Sequence, residues 1–141
     1  MVAGASFVVR IPDSIYNEML EHIVAGYPNE ACGVLGCTGN EAVKNYPTVN
    51  AAEHPDDFSI VSDEDLKRIF YDVDEYGDGM IYYHSHPRSE AYPSPRDIEW
   101  AKHVGYVYII FSHQYHPEPP SCRVFKIDIN GTITEGEIKR F

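Results

Sequence analysis

Two histidines separated by one residue are the feature of this sequence best suited to chemistry. His84 and His86 stand at the end of a short apolar stretch, Met80 to Ser85, that is predicted to form a β-strand. Side chains alternate between the two faces of a strand, so both imidazoles should project to the same side. Two such nitrogens can bind one metal ion, although histidine pairs with this spacing also occur by chance in many proteins.

A serine and an aspartate follow at the start of the next predicted helix. Ser94 precedes Pro95, a residue type favoured at the first helical position, and Asp97 lies about one turn inside. Its carboxylate can turn back toward the end of the strand. Two neutral imidazoles and one carboxylate suit Zn²⁺ and leave its fourth position open for water, as in catalytic zinc sites. The simplest alternative, a capping box formed by Ser94 and Asp97, is compatible with metal binding.

A hydrolytic zinc site also needs a base that takes a proton from water. The chain has twelve glutamates, and their pattern alone does not choose among them. Glu30 differs from the others because it opens a short, strongly apolar predicted strand, Glu30 to Cys37, where a carboxylate has no packing role. Five others fall on predicted helices and are most simply solvent-facing: Glu18, Glu21, Glu64, Glu75 and Glu99.

The remaining histidines and the cysteines give weaker alternatives. His113, His116 and Glu118 form a rival cluster, but they fall in a proline-rich loop with no regular element to fix their spacing, which favours a solvated loop. His22 and His103 lie on predicted helices without partners and are expected to be structural or exposed. Three cysteines without a CxxC pair indicate neither a disulfide framework nor a thiolate zinc cage.

Three predicted helices carry or support these residues. The first spans Asp13 to Gly26, with Gly26 as its C-terminal cap. The second begins at the cap Ser62 and ends near Gly77, and the third runs from Ser94 to about Val104. The apolar face of the second helix is predicted to consist of Leu66, Ile69, Phe70, Val73 and Tyr76.

The strands complete a mixed α/β (α+β) domain. The length of 141 residues, with 43% apolar and 23% charged residues, fits one globular domain over residues 1–141. The predicted order is β-α-β-β-(β)-α-β-α-β-β-β, with mostly antiparallel pairing. The strands not given above are Ser6 to Ile11, Glu41 to Val49, Tyr106 to Ser112, and two strands around an Asn130-Gly131 turn.

The spaced residues, taken together, resemble the JAMM (MPN+) family of zinc metalloproteases. The family pattern is an upstream Glu, then HxH, seven residues, Ser, two residues and Asp. It is filled here by Glu30, His84-Ser85-His86, Pro87 to Pro93, Ser94 and Asp97. The segments PNEACGVLGC and YYHSHPRSEAYPSPRDI are similar to a small bacterial branch that removes cysteine from a ubiquitin-like sulfur-carrier protein. The resemblance covers nearly the whole chain and implies a JAB/MPN-type domain with a curved sheet.

The resemblance implies a role for each residue of the pattern. His84, His86 and Asp97 would bind Zn²⁺. Glu30 would act as general base and return the proton to the leaving amine. Ser94 would donate a hydrogen bond to the tetrahedral oxyanion.

The resemblance also implies a substrate class. Members that cut polyubiquitin carry insertions near the active site, whereas the segment from Ser112 to Ser121 is short here. This favours hydrolysis after the Gly-Gly tail of a ubiquitin-like sulfur-carrier protein, with release of cysteine or a short tail. The alternatives are a deubiquitinase-like isopeptidase, a catalytically silent MPN scaffold and a different small zinc amidase. Candidate groove walls are Asn50 to Ile60 and Arg88 to Tyr92.

Cys32 has two interpretations. It lies two residues after Glu30 and should share its strand face near the site. A small buried side chain is the simpler interpretation. The alternative is that oxidation of Cys32 silences the enzyme.

The charge of the chain bears on its partners. Eleven Lys and Arg against 22 Asp and Glu give a net charge of −11, which disfavours nucleic acid and anionic membranes. A carrier protein should then present neutral or basic surface around its tail, and association should slow as salt rises. No apolar run approaches the ~18 residues of a membrane span and no signal pattern is present, so we expect a cytoplasmic protein. The oligomeric state stays open.

Overall fold

A mixed sheet of eight strands forms the centre of the structure, a computed structural model that describes residues 7–101 and 106–141. The strands are β1 (Val8–Ile11), β2 (Cys32–Thr38), β3 (Glu41–Thr48), β4 (Gly79–His86), β5 (Tyr106–Ser112), β6 (Ser121–Ile127), β7 (Ile133–Glu135) and β8 (Glu137–Arg140). The helices are α1 (Asp13–Gly26), α2 (Asp63–Asp74) and α3 (Pro95–Ala101). The strand order across the sheet is β7-β6-β5-β4-β2-β3-β1-β8.

Antiparallel pairing predominates, as predicted. β2 pairs antiparallel with β3 and β4, and β6 pairs antiparallel with β5 and β7. β1 is parallel to β3 and β8, and β4 is parallel to β5. His86 at the end of β4 lies opposite Ser112 at the end of β5, so the loops that follow these two strands leave the sheet at the same edge.

Helices cover both faces of the sheet, which explains the continuous apolar runs of β2 and β5. Tyr83 of β4 packs with Met19 of α1 on one face. Tyr82 packs on the opposite face, which α2 and α3 cover. Because side chains alternate along a strand, His84 and His86 fall on the face of Tyr82.

The helices α1 and α2 begin where the sequence predicts. The Ser62 hydroxyl caps α2 by accepting a hydrogen bond from the Asp65 N–H at 3.1 Å. The predicted cap at Gly26 is wrong, because the C-cap is Tyr27 and Gly26 is part of α1. Gly26 instead allows close packing, since a Cβ there would lie 2.8 Å from the Ala31 Cβ.

The apolar face of α2 is narrower than predicted. Ile69 and Val73 are buried and Leu66 packs against them, but Phe70 is 53% exposed. Phe70 directly follows Ile69 and therefore points about 100° around the helix from it, away from the sheet. Tyr76 lies beyond the end of α2 but still packs in the same cluster.

The strand boundaries near the site also differ from the prediction. β2 begins at Cys32, so Glu30 lies in the connection before it, where the Glu30 N–H bonds to the Pro55 carbonyl at 2.7 Å rather than to a neighbouring strand. β4 extends through His86, which places both histidines in regular strand. Residues 49–62 contain no strand, although a further short one was predicted between β3 and α2.

The two ends of the chain complete the sheet. The turn at Asn130-Gly131 joins β6 to β7, and Gly131 has a φ of 83°, a conformation that favours glycine. β8 was not predicted; it pairs with β1 at the opposite edge. Ser6, and the predicted part of α3 that contains His103 and Val104, lie outside the described residues. Over the described ranges, no helix is long and apolar enough to cross a membrane.

Candidate metal and catalytic site

The end of β4 brings three metal-ligating side chains together. His84 and His86 project from one face of β4, and Asp97 comes from the first turn of α3. The two histidine Nε2 atoms lie 3.2 Å apart. Asp97 Oδ1 is 3.3 Å from His84 Nε2, and Asp97 Oδ2 is 3.6 Å from His86 Nε2. All three residues are buried, and together they form a candidate metal site.

These separations fit a tetrahedral zinc ion. With metal–ligand bonds of about 2.0 to 2.1 Å, two ligand atoms of a regular tetrahedron lie about 3.3 Å apart. The separation between the two Nε2 atoms and that between His84 Nε2 and Asp97 Oδ1 lie close to this value, and the other carboxylate oxygen is 3.6 Å from His86 Nε2. The His86 Nδ1–H donates to the Glu90 carbonyl at 2.8 Å, which leaves Nε2 with a lone pair for a metal. The donor set therefore fits the ion that the sequence implies.

The Asp97 carboxylate is held ionised. Burial alone would raise its pKa, but His84, His86 and the Ser94 N–H, which donates to Oδ2 at 2.8 Å, lower the pKa well below its usual value. The Ser94 Oγ accepts a hydrogen bond from the Asp97 N–H at 3.2 Å. The two residues thus form the predicted capping box, and the cap orients the carboxylate toward the histidines.

Glu30 lines the same cleft as the ligands. Burial raises the pKa of its carboxyl, while His84, His86 and a hydrogen bond from Ser59 oppose that rise. Asp97 raises it further. Glu30 is thus electrostatically coupled to all three candidate ligands although it lies more than 50 residues before them in the sequence.

Ser85 holds the segment that follows Glu30 against β4. Its Oγ accepts a hydrogen bond from the Ala31 N–H at 2.9 Å, and its own N–H donates to the Ala31 carbonyl at 3.0 Å. Ser85 is fully buried and points to the face opposite the histidines. Its positioning role was not predicted; the available signal was a hydroxyl between the two histidines.

Asn50 organises the loop that forms one wall of the site. Its side-chain NH₂ donates to the carbonyls of Glu30 and Phe58, both at 2.9 Å. Its side-chain oxygen accepts from the N–H groups of Ala52 and Ile60, both at 3.0 Å. One amide thus supplies hydrogen bonds that a strand partner would otherwise provide, which is why residues 49–62 hold their shape without a strand. No pattern in the sequence indicated this role.

An open cleft with about 990 Å³ of space runs past the ligand cluster. Its lining includes Glu30, Asp56, Asp57, Phe58, His86, Arg88, Ser89, Ser94, Arg96 and Asp97. The Arg88 guanidinium donates to the Asp56 carbonyl at 3.0 Å and links the two walls. Both segments proposed as groove walls, Asn50 to Ile60 and Arg88 to Tyr92, contribute residues to this cleft.

The prediction of a solvated loop is wrong for His113, which is buried against Tyr27, whereas His116 and Glu118 are exposed. The rings of His113 and His116 pack on Tyr27 at 4.6 and 4.2 Å between centroids. Within residues 7–101 and 106–141, only the His84 group brings three ligand atoms together. His22 Nε2 lies 2.8 Å from the Cys32 carbonyl, a structural contact.

Cys32 is buried and its thiol is protonated. Its Sγ lies 3.4 Å from the Thr48 hydroxyl, and burial raises the pKa of the thiol. It pairs with His84 in the β2–β4 ladder, so it lies near the site as expected. The prediction that Cys32 shares a strand with Glu30 is wrong, because Glu30 precedes β2. The burial of Cys32 favours its interpretation as a small buried side chain.

Comparison with known proteins establishes the family. A family model described as prokaryotic homologs of the JAB domain matches residues 12–128. The chain belongs to the prokaryotic JAB domain family. A CysO-cysteine peptidase from Mycobacterium tuberculosis is 34% identical to this JAB domain over 136 residues, which cover 94% of the chain and 90% of the relative. A desampylase from Haloferax volcanii is 34% identical over 103 residues, 71% of the chain and 74% of the relative.

A solved structure has a similar fold. The solution structure of a protein from Desulfitobacterium hafniense has a TM-score of 0.81 to this JAB domain at 29% identity, and covers 96% of this chain and 93% of its own. Family membership and the buried His-His-Asp cluster together confirm the JAMM resemblance. This JAB domain protein is a JAMM-type zinc metallopeptidase.

Proposed function

We propose that this JAB domain protein hydrolyses the peptide bond after the C-terminal Gly-Gly of a ubiquitin-like sulfur-carrier protein and releases cysteine or a short tail. The observation that carries the proposal is that Glu30 lines one cleft with His86, Ser94 and Asp97. The name of the mycobacterial relative, CysO-cysteine peptidase, supports the substrate class.

The chemistry follows from the residues of the cleft. His84, His86 and Asp97 would hold Zn²⁺, which lowers the pKa of a bound water to about 7 and polarises a carbonyl. Glu30 takes the proton of the attacking water, and its raised pKa suits a base that works near neutral pH. The water oxygen adds to the scissile carbonyl carbon. The proton then passes from Glu30 to the leaving nitrogen as the C–N bond breaks, and the second proton of the water moves from the new carboxyl group to the released amine, which gives a Gly-Gly carboxylate and an ammonium group.

Ser94 would stabilise the oxyanion that develops on the scissile carbonyl. Its Oγ already accepts a hydrogen bond from the Asp97 N–H, so its hydroxyl hydrogen is available to donate. Removal of a comparable donor in other enzymes raises the barrier by roughly 3 kcal/mol.

The cleft suits an extended tail without side chains. A Gly-Gly segment, which carries no side chains, would lie along the walls at Asp56 to Phe58 and Arg88 to Ser89, where main-chain hydrogen bonds would fix its register. The net charge of −11 favours a carrier with neutral or basic surface around that tail.

An isopeptidase is the second candidate. The Haloferax relative carries a different name, desampylase. This name supports a second reaction, in which a ubiquitin-like protein is cleaved from a lysine side chain. The two candidates share the site chemistry and differ only in the group that leaves.

The test is the intact mass of a carrier protein ending in Gly-Gly-Cys after incubation with the zinc-loaded enzyme. Wild type should remove the cysteine. Glu30→Gln should abolish cleavage while it binds the same amount of zinc, and Glu64→Gln, on the exposed first turn of α2, should behave as wild type. Cleavage of a lysine-linked conjugate alone would favour the isopeptidase, and no cleavage of either substrate would contradict both candidates.

A further inference from the structure

A second, smaller cavity adjoins the cleft at the ligand cluster. The walls of this inner pocket include Cys32, Val61, Tyr82, His84, Trp100 and Tyr108. Phe58, Arg96 and Asp97 line both the inner pocket and the cleft. The boundary between the two spaces therefore passes beside the candidate metal ligands.

Arg96 stands at this boundary, and its side chain stacks on an aromatic ring. Its guanidinium carbon lies 4.8 Å from the centroid of the Phe58 ring. Among the residues that the structure describes, the Arg96 side chain forms no hydrogen bond or ion pair. Stacking on a ring occupies a face of the guanidinium and leaves the N–H donors at its edge free. By contrast, Arg88, the other guanidinium of the cleft, bonds to the Asp56 carbonyl.

The charges of the cleft indicate what Arg96 would bind. Glu30, Asp56, Asp57 and Asp97 line the cleft, so an anionic group would be repelled there unless a cation receives it. A carboxylate is the anion that matches the edge of a guanidinium, because its two oxygens accept two parallel N–H bonds.

We propose that Arg96 binds the α-carboxylate of the residue that leaves, so that the enzyme removes a single C-terminal residue. This inference rests on the proposed peptidase function and names its substrate more narrowly. In a tail that ends one residue past the scissile bond, the carboxyl carbon lies only two covalent bonds beyond the leaving nitrogen. Arg96 directly precedes the candidate ligand Asp97 and lines both the cleft and the inner pocket. A longer tail or a lysine-linked protein presents no carboxylate at this position.

Three carrier substrates test the proposal: one ending in Gly-Gly-Cys as the free acid, one ending in the C-terminal amide of the same cysteine, and one extended by a further glycine. We expect wild type to cleave the free acid with a kcat/KM roughly 10- to 100-fold above that for the amide and the extended tail. Arg96→Gln should lower the rate on the acid to that on the amide and leave the amide rate nearly unchanged. Arg68→Gln removes one charge from the exposed surface of α2, where Arg68 pairs with Asp65, and should keep the wild-type preference.

The outcomes separate this inference from the function on which it rests. Equal rates on acid and amide in wild type would overturn the assignment of Arg96 and leave the peptidase function intact. The assignment is overturned in the same way if Arg96→Gln keeps the full preference or loses activity on both substrates in parallel. A wild-type enzyme that cleaves none of the three carriers would contradict the proposed function itself. Zinc content and Tm show whether Arg96→Gln is folded. If it is not, the same comparison is made with Arg96→Lys, which keeps the positive charge but cannot donate two parallel hydrogen bonds.

Discussion

Ser85 and Ala31 are joined by two hydrogen bonds that connect the proposed base to the strand of the candidate ligands. The Ser85 Oγ accepts from the Ala31 N–H at 2.9 Å, and the Ser85 N–H donates to the Ala31 carbonyl at 3.0 Å. Ala31 directly follows Glu30, and Ser85 lies between His84 and His86. The separation between base and ligands therefore depends on this pair.

We expect Ser85→Ala to lower kcat more than it raises KM. The substitution leaves the buried Ala31 N–H without its side-chain acceptor, which costs about 1 to 3 kcal/mol and loosens the segment that carries Glu30. Zinc content should be unchanged, because the ligands stay on β4. Steady-state kinetics on the carrier, with metal analysis, check this. Ser14→Ala on the exposed surface of α1 is the control, and a wild-type kcat in Ser85→Ala would show that Ser85 serves stability alone.

Asn50 provides a second test of how the cleft is held. Asn50→Ala removes four hydrogen bonds and should destabilise the fold by about 2 to 4 kcal/mol and raise KM. Asn50→Asp should be at least as harmful, because it sets a carboxylate oxygen against the carbonyls of Glu30 and Phe58. Denaturant unfolding and kinetics give both quantities. A fully stable Asn50→Asp would contradict the assigned hydrogen-bond roles.

Oxidation should not act through Cys32. Cys32 is 3% exposed, and burial raises the pKa of its thiol, so little reactive thiolate is present. Wild type and Cys32→Ser should therefore lose activity at the same rate in mild peroxide. If Cys32→Ser loses activity more slowly than wild type, the interpretation of Cys32 as a site of inactivating oxidation holds instead.

His113 should make the stability depend on pH. Burial lowers its pKa below the ordinary value of 6.5, so the folded protein keeps it neutral while the unfolded chain takes up a proton. The stability it contributes is present above about pH 6.5 and is lost as pH falls from there through the lower pKa of the folded protein. His113→Phe should thus lose less Tm than wild type between about pH 7.5 and pH 5.5. Because the other histidines are the same in both proteins, identical losses would rule out this effect.

The candidate ligands could be predicted because their geometry is local. Strand alternation places His84 and His86 on one face, and a helix cap orients Asp97 three residues after Ser94. Each of these relations spans a few residues and follows from backbone periodicity. The same holds for the cap of α2 at Ser62.

Long-range relations could not be predicted in this way. Ala31 and Ser85 are 54 residues apart, and only the family resemblance linked Glu30 to the histidines. The four hydrogen bonds of Asn50 leave no periodic pattern, because a loop residue can bond in many ways. Phe70 shows the same limit for packing: its periodicity fits the apolar face, but only the position of α2 on the sheet leaves it exposed.

The central claim is that the cluster of His84, His86 and Asp97 binds the zinc ion on which cleavage of the Gly-Gly-Cys tail depends. The most direct measurement is the rate of tail cleavage by metal-free enzyme as zinc is added. We predict a linear rise that ends at about one zinc per chain, absent in His84→Ala and Asp97→Ala and retained in His116→Ala. Cleavage that is independent of zinc, or that survives in both ligand variants, would contradict the claim.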